Sequence, residues 1–342
     1  MGSAVVRARG ALGSLTRIRP ATAALLFTLA AASLLLLLPE EALAAQFRDG
    51  VRSGIGGLRA ADGRWLVVVG GLLACSLSGT ALAWRAALRA CGTHCGSVDA
   101  VARYGIGSLA NAVLPAKLGG VIRIGLFSRL VSGEGAVWTT GGAAAVAGAA
   151  RSLWLAALVA AASTTGVLPT WPAFALVAAG CVGVAVALVA RRTRWHARAA
   201  HVFDAFRAVS RRPRAALAVV LSVGVAVGAR VAAASALALA FGVDKPLAAG
   251  LLIVAAIELA AVLPISPGSA GTAAAAVAFA LAAHGVGGKL AFSAGLAFAA
   301  VETSTSIVVG TLGALVLAAP AVGRRLAVFF RQPAPVRVAA RD

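Results

Sequence analysis

The sequence predicts an all-α polytopic membrane protein, and three observations carry that expectation. Of 342 residues, 61% are hydrophobic and 12% are charged, with a mean hydropathy of +0.94. A soluble domain is about half apolar and about a quarter charged. Apolar stretches of about 18 residues or more recur along the chain, each long enough to cross the hydrocarbon core. No segment shows the alternating pattern of a membrane β-strand. About six full spans are expected, plus two helical hairpins broken by Gly and Pro, giving up to eight crossings.

The net charge of +20 does not point to nucleic acid. The basic residues sit in short loops and tails between apolar runs, as the positive-inside rule requires, and form no single patch. Residues 1–20 carry Arg7, Arg9, Arg17 and Arg19 without an acid, so the N-terminus is expected in the cytoplasm. The first span is 21–38. Ala42-Leu43-Ala44 resembles a signal-peptidase site, but the apolar run and its basic lead are long for a signal peptide, so an uncleaved helix is expected. Loop 39–64 has mixed charge and fits the outside. The second span, 65–83, leads inward to Arg85 and Arg89.

A broken region at about 97–131 follows, then a span at 136–162. An uncharged loop leads to a span at 172–190. The loop 191–214 holds eight arginines against one acid, Asp204, and is the strongest inside marker. Span 215–241 is followed by a second broken region, about 247–285, which reads equally as a re-entrant hairpin or a full crossing. The last span, about 289–318, precedes a basic cytoplasmic tail at 320–342. Residues 21–319 thus form one transmembrane domain in the cell membrane.

Two segments repeat. Ala112–Pro115 and Ala261–Pro264 both read AVLP, and each runs through small residues into another apolar helix. Each is preceded by a long span and followed by another, which places repeats at about 65–162 and 215–318. An ionisable residue stands at a similar offset in each following span: Arg151 lies 36 residues after Pro115, and Glu302 lies 38 after Pro264. The first broken region starts from the inside and the second from the outside, so the halves are expected to be inverted. Inverted repeats with interrupted helices mark transporters. Backbone freed by a break cannot face lipid and must line protein or a polar cavity. Pro115, Gly119 and Gly120, with Pro264, Ser266, Pro267, Gly268 and Gly271, are therefore the candidate path.

Charges at membrane depth cost about 2.5–3.5 kcal/mol even on insertion scales, so they seek partners or cavities. Lys117, Arg123, Arg151 and Arg230 are candidates for a basic site that takes an anionic lipid headgroup, with Asn111 as a hydrogen-bonding neighbour. Glu258 and Glu302 are candidate counter-charges or proton-coupling groups. The plainer reading is a pair of structural salt bridges, Arg151–Glu302 or Arg230–Glu258, with Lys117 and Arg123 snorkelling. Trp138, Trp154 and Trp171 are expected at interfaces or in packing. Cys75 and Cys181 are expected to pack as small hydrophobes. CGTHC (Cys91, His94, Cys95) lacks a second ligand pair for a metal site. No cofactor, metal or enzymatic chemistry is expected. There is no P-loop, nucleophile elbow or paired acidic motif.

The segment NAVLPAKLGGVIRIGLF (Asn111–Phe127) resembles the N-x-x-x-P-x-x-x-G-E-x-x-R-type stretch of the flippase-like family, also called the lysylphosphatidylglycerol synthase transmembrane region. LPISPGSAGT resembles that family's LPxxPGGxGxxE-type signature. The resemblance covers about 20–320. It implies a multi-span bundle with helical hairpins that moves lipids between leaflets. In the aminoacyl-lipid members, that bundle precedes a soluble transferase domain; with only about 20 residues after the last span here, translocation without synthesis is expected. Arg123 matches the basic residue of the first motif, and Arg151 an arginine common in the following span. The acid expected near Gly120–Val121 and the one expected at Ala274 are absent. The expected function is translocation of an anionic or isoprenoid-linked lipid. The alternatives are a membrane scaffold for lipid or glycan biosynthetic enzymes and an intramembrane lipid-modifying transferase. The latter lacks a convincing catalytic base.

Overall fold

Long apolar runs have no water to satisfy their backbone, so they close their own hydrogen bonds as helices. A computed structural model describes residues 62–113, 118–133, 135–164, 174, 196–262 and 269–330. Among the described residues the chain forms helices and no strand. They are α1 (Gly63–Ala90), α2 (Ser97–Val113), α3 (Gly119–Ser128), α4 (Ala136–Thr164), α5 (His196–Ser210), α6 (Pro213–Ala240), α7 (Pro246–Val262), α8 (Ser269–Ala283) and α9 (Gly288–Phe330). Four of them, α1, α4, α6 and α9, are long and apolar enough to span a membrane. The protein is a multi-pass membrane protein.

The expected spans at 65–83, 136–162, 215–241 and 289–318 fall on these four helices. The broken regions appear as α2 with α3 and as α7 with α8. The span at 21–38 and, apart from residue 174, the span at 172–190 lie outside the described residues, as do Pro115, Lys117, Pro264, Ser266, Pro267 and Gly268. One expectation is corrected: the segment 191–214, read as a loop, contains the helix α5. Its arginines had masked an apolar set that includes Ala205 and Val209, both buried.

The two halves of the described chain run through the same succession of elements. α1 and α6 are each 28 residues long, and α2 and α7 are each 17. α1 and α6 also end in the same way. Gly92 (φ 90°) and Gly242 (φ 65°) adopt the left-handed conformation. The next amide turns back onto the helix: Thr93 donates to the Leu88 carbonyl at 3.0 Å and Val243 to the Ala238 carbonyl at 2.9 Å. This glycine-based stop satisfies carbonyls that a helix end leaves open.

α1 and α6 lie against each other along much of their length. Gly79 sets their distance, because a methyl group there would sit 2.9 Å from the Ser222 carbonyl oxygen and 3.0 Å from the Ala226 nitrogen. α2 packs on α9 in the same manner. A methyl group on Gly105 would meet the Val309 carbonyl at 2.9 Å, and one on Gly313 would meet the Ala102 carbonyl at 2.6 Å. Lipid supplies no hydrophobic drive between helices, so close backbone approach through small residues is the main source of cohesion. Trp154 of α4 bridges to α6 by donating its indole N–H to the Val220 carbonyl at 2.9 Å.

At the α1–α2 turn, Arg85 donates from Nε to the Cys95 carbonyl at 2.9 Å, and the Cys95 thiol reaches Asp99 Oδ2 at 3.4 Å. Asp99 pairs with Arg103, whose Nη1 donates to the Leu126 carbonyl of α3 at 2.7 Å. Burial, followed by the contact with Asp99, pushes the Cys95 thiol up to about 11. Cys75 departs from expectation: it lies on the exposed face of α1 and not in the packed core.

Two outcomes follow from this packing. Gly79→Leu overfills the α1–α6 contact and is expected to lower stability by about 1–3 kcal/mol, seen as a reduced melting midpoint in detergent. A thiolate fraction falls as the thiol's pKa rises, so at pH 8 Cys95 in the folded protein is expected to alkylate on the order of a hundredfold more slowly than after denaturation. Mass-spectrometric time courses at both states measure this.

Candidate functional site

The charged residues at membrane depth come from elements far apart in sequence. Arg123 lies on α3, Arg151 on α4, Arg230 on α6, Glu258 on α7 and Glu302 on α9. All five, together with Asn111 of α2, line one cavity of about 400 Å³. Side chains of α1 and α8, among them Ser76, Thr80 and Thr272, complete its wall.

Four of the charges form a connected network. Arg151 grips Glu258 with two nitrogens: Nε donates to Oε2 at 3.2 Å, and Nη2 to Oε1. Arg230 donates from Nη2 to Glu302 Oε1 at 2.9 Å, and its Nε stands 4.0 Å from Glu258 Oε1. Arg230 is thus flanked by both carboxylates. The side chains are mostly enclosed, from 15% exposed at Arg230 to 30% at Glu302. Of the ion pairs read from sequence, Arg230–Glu258 is present as the longer contact at 4.0 Å, while Arg151–Glu302 is corrected, because Arg151 pairs with Glu258. The close pairs are Arg151–Glu258 and Arg230–Glu302. The reason is helix neighbourhood: α4 lies against α7, while α6 lies beside both α7 and α9.

Arg123 is held differently. Its guanidinium carbon sits 3.7 Å from the centre of the Tyr104 ring, and Nη2 donates to Ser108 Oγ at 3.1 Å. A cation over an aromatic face is attracted by the ring quadrupole, and the ring does not neutralise it. Among the described residues no carboxylate pairs with Arg123. Its buried Nε, like that of Arg230, also lacks a hydrogen-bond partner there. Close approach of α2 and α3 fixes its place. A methyl group on Gly107 would lie 2.9 Å from the Arg123 Cβ and 3.0 Å from the Gly119 carbonyl.

Among the described residues the cavity therefore carries three guanidiniums against two carboxylates, with the excess at Arg123. Gly119, Gly120 and Gly271 stand at the starts of α3 and α8 and are not part of the cavity wall. Gly119 is buried against Gly107 and Asn111. The sequence reading missed Tyr104, Ser108 and the hydroxyls of Ser76, Thr80, Thr303, Thr305 and Ser306. Tyr104 had a signal, since it is the only tyrosine in the chain. The hydroxyls had none, because Ser and Thr in apolar helices often bond their own backbone, as Thr80 does to the Ser76 carbonyl.

The model of the family described as lysylphosphatidylglycerol synthase TM region matches residues 23–313. The chain belongs to that family. The match covers nearly the whole chain, including every residue that lines the cavity. Membership in the lysylphosphatidylglycerol synthase TM region family gives the protein a function related to membrane lipids. No curated protein and no solved structure matches the chain.

The network makes a testable energetic claim. Removing one member of an enclosed ion pair strands its partner, at a cost of about 3–5 kcal/mol, whereas replacing both by apolar residues is often neutral. Glu258→Leu alone is expected to lower the melting midpoint in detergent strongly. Combining it with Arg151→Leu should restore much of the loss. A strictly additive double variant would refute the coupling.

Proposed function

We propose that this protein moves a lipid with an anionic or isoprenoid-linked headgroup between the leaflets of the cell membrane. The observation that carries the reading is the net positive cavity, into which both halves of the chain send cations while Arg123 has no carboxylate partner among the described residues. A phosphate-bearing headgroup fits such a site. Guanidinium binds phosphate oxygens through two parallel N–H donors, and does so more strongly where water is scarce. The headgroup lands on Arg123 and competes with Glu258 and Glu302 for Arg151 and Arg230. Arg230 can lean on either carboxylate, so the network can open toward the ligand without leaving an isolated charge.

The two breaks supply the path. α7 has 17 residues and rises roughly 26 Å, short of a full hydrocarbon core of about 30 Å. We read α2–α3 and α7–α8 as hairpins entering from opposite leaflets in an inverted repeat. The equal helix lengths and shared glycine stops of the halves support this. The tails have a route of their own. A hollow of about 380 Å³ lies between α1 and α9, lined by Gly70, Ala74, Val301, Ser304, Thr305 and Val308. Thr305 also lines the charged cavity. The headgroup travels inside while the tails stay in that groove, in contact with lipid. The protein performs no covalent chemistry in this scheme, and a gradient or downstream consumption sets the direction.

Reconstitution in liposomes with tail-labelled lipids and an impermeant external quencher tests the reading. Anionic lipid is expected to be exchanged between leaflets faster than zwitterionic lipid. Arg123→Ala should slow that exchange on the order of tenfold or more, which corresponds to loss of a charge-assisted contact. Arg123→Lys should recover only part, because an ammonium cannot make the paired contact. A folded wild-type protein that moves no lipid class would leave the scaffold reading in its place.

A further inference from the structure

A second basic site lies at one end of the bundle, apart from the charged cavity. There, α1 ends, α5 turns into α6, and a hollow of about 620 Å³ opens between them. Arg85, Arg89, Arg211, Arg212 and Arg214 line it. No carboxylate is in its wall, and none of the five makes an ion pair among the described residues. Asp204, on the neighbouring α5, is instead associated with Arg207 at 3.9 Å. Like charges brought together from helices distant in sequence repel, and an anion between them removes that repulsion.

The hollow is built rather than incidental. Arg85 is anchored to the Cys95 carbonyl at 2.9 Å, and Arg212 Nη1 donates to the Arg89 carbonyl at 3.3 Å, which joins the two helix ends. α6 starts here with Pro213 in its first turn and without a side-chain cap. Its amide-rich, positive end therefore adds to the field of the arginines. The floor is apolar, made of Ala86, Ala90, Ala215 and Ala218. α1 and α6 both change here from membrane-length apolar helix to basic termini, which is the depth of the headgroup layer.

We propose that this hollow binds an anionic phospholipid of the surrounding bilayer, with its phosphate among the arginines and its glycerol and upper acyl chain on the alanine floor. The apolar floor and the depth favour a lipid over a free phosphate. The bound lipid ties the end of α1 to the start of α6. It is a resident of the fold, separate from the lipid proposed to travel through the cavity.

Native mass spectrometry of the detergent-purified full chain tests the site. Phosphatidylglycerol and phosphatidylcholine would be titrated into Arg123→Ala, in which the central cavity has lost its unpaired cation, and into the same variant carrying R89Q/R211Q/R214Q as well. Arg123→Ala is expected to hold one phosphatidylglycerol tightly, with phosphatidylcholine weaker on the order of tenfold. Adding the triple substitution should abolish that preference. Glycerol 3-phosphate should not displace the lipid; if it does so at matched concentration, the site takes a soluble phosphate and the proposal falls. Equal binding of both lipids by Arg123→Ala, or an unchanged preference after the triple substitution is added, also overturns it. Should the triple substitution prevent folding, hydrogen exchange on the wild type in nanodiscs decides. Amides at 85–91 and 211–218 should be protected by phosphatidylglycerol over phosphatidylcholine, and equal exchange in both lipids overturns the proposal.

Discussion

The enclosed network of Arg151, Glu258, Arg230 and Glu302 constrains the rest of the molecule. Each charge is affordable at membrane depth only beside its partner. The four residues sit on four helices, so each helix must deliver its charge to the same small volume. A slip of one residue turns a helical side chain by about 100° and shifts it by about 1.5 Å. Such a slip in α4, α6, α7 or α9 would leave a charge facing lipid. The network thereby fixes rotation and depth for helices whose apolar surfaces are otherwise nearly featureless in Ala, Val and Leu.

Small residues make that arrangement possible. Gly79 lets α1 and α6 touch, and Gly105 and Gly313 do the same for α2 and α9. These contacts bring the helices close enough for their polar residues to share one cavity. Gly107 and Gly119 play the local part, bringing α3 onto α2 so that Arg123 lies across Tyr104. Packing and site are thus one design in this chain: the residues that replace hydrophobic attraction with backbone contact also decide where the charges meet.

Much of this was legible in the sequence, for physical reasons. Hydropathy located the starts of the four long described helices to within two residues, because lipid admits only one backbone solution for them, but α1 and α9 continue past the expected spans into their basic ends. The glycines and prolines marked both breaks. The cost of burying charge singled out Arg123, Arg151, Arg230, Glu258 and Glu302, and the structure gathers all of them. The pairing was legible only in part: Arg230 does meet Glu258. Arg151 joins Glu258 rather than Glu302 because α4 neighbours α7, and neighbourhood is a tertiary fact with no local signature. The helix α5 was missed because charge density outweighed its periodicity. Ser108 was missed because a serine in an apolar helix is usually occupied with its own turn.

The proposed repeat gives the charges a further logic. Arg151 and Glu302 stand at similar offsets behind the two AVLP segments, so they would occupy corresponding places in the two halves. Identical charges there would set two cations or two anions against one cavity, with no relief from lipid. Opposite signs remove that conflict and let the halves share Arg230 and Glu258 as the link between them. The residue left over is Arg123, on a helix whose counterpart, α8, carries no charge at all. The cavity is therefore electrically lopsided even if its backbone is nearly symmetric. The proposed translocation rests on that lopsidedness: a fully cancelled network would hold the helices together and give an anionic headgroup no reason to enter.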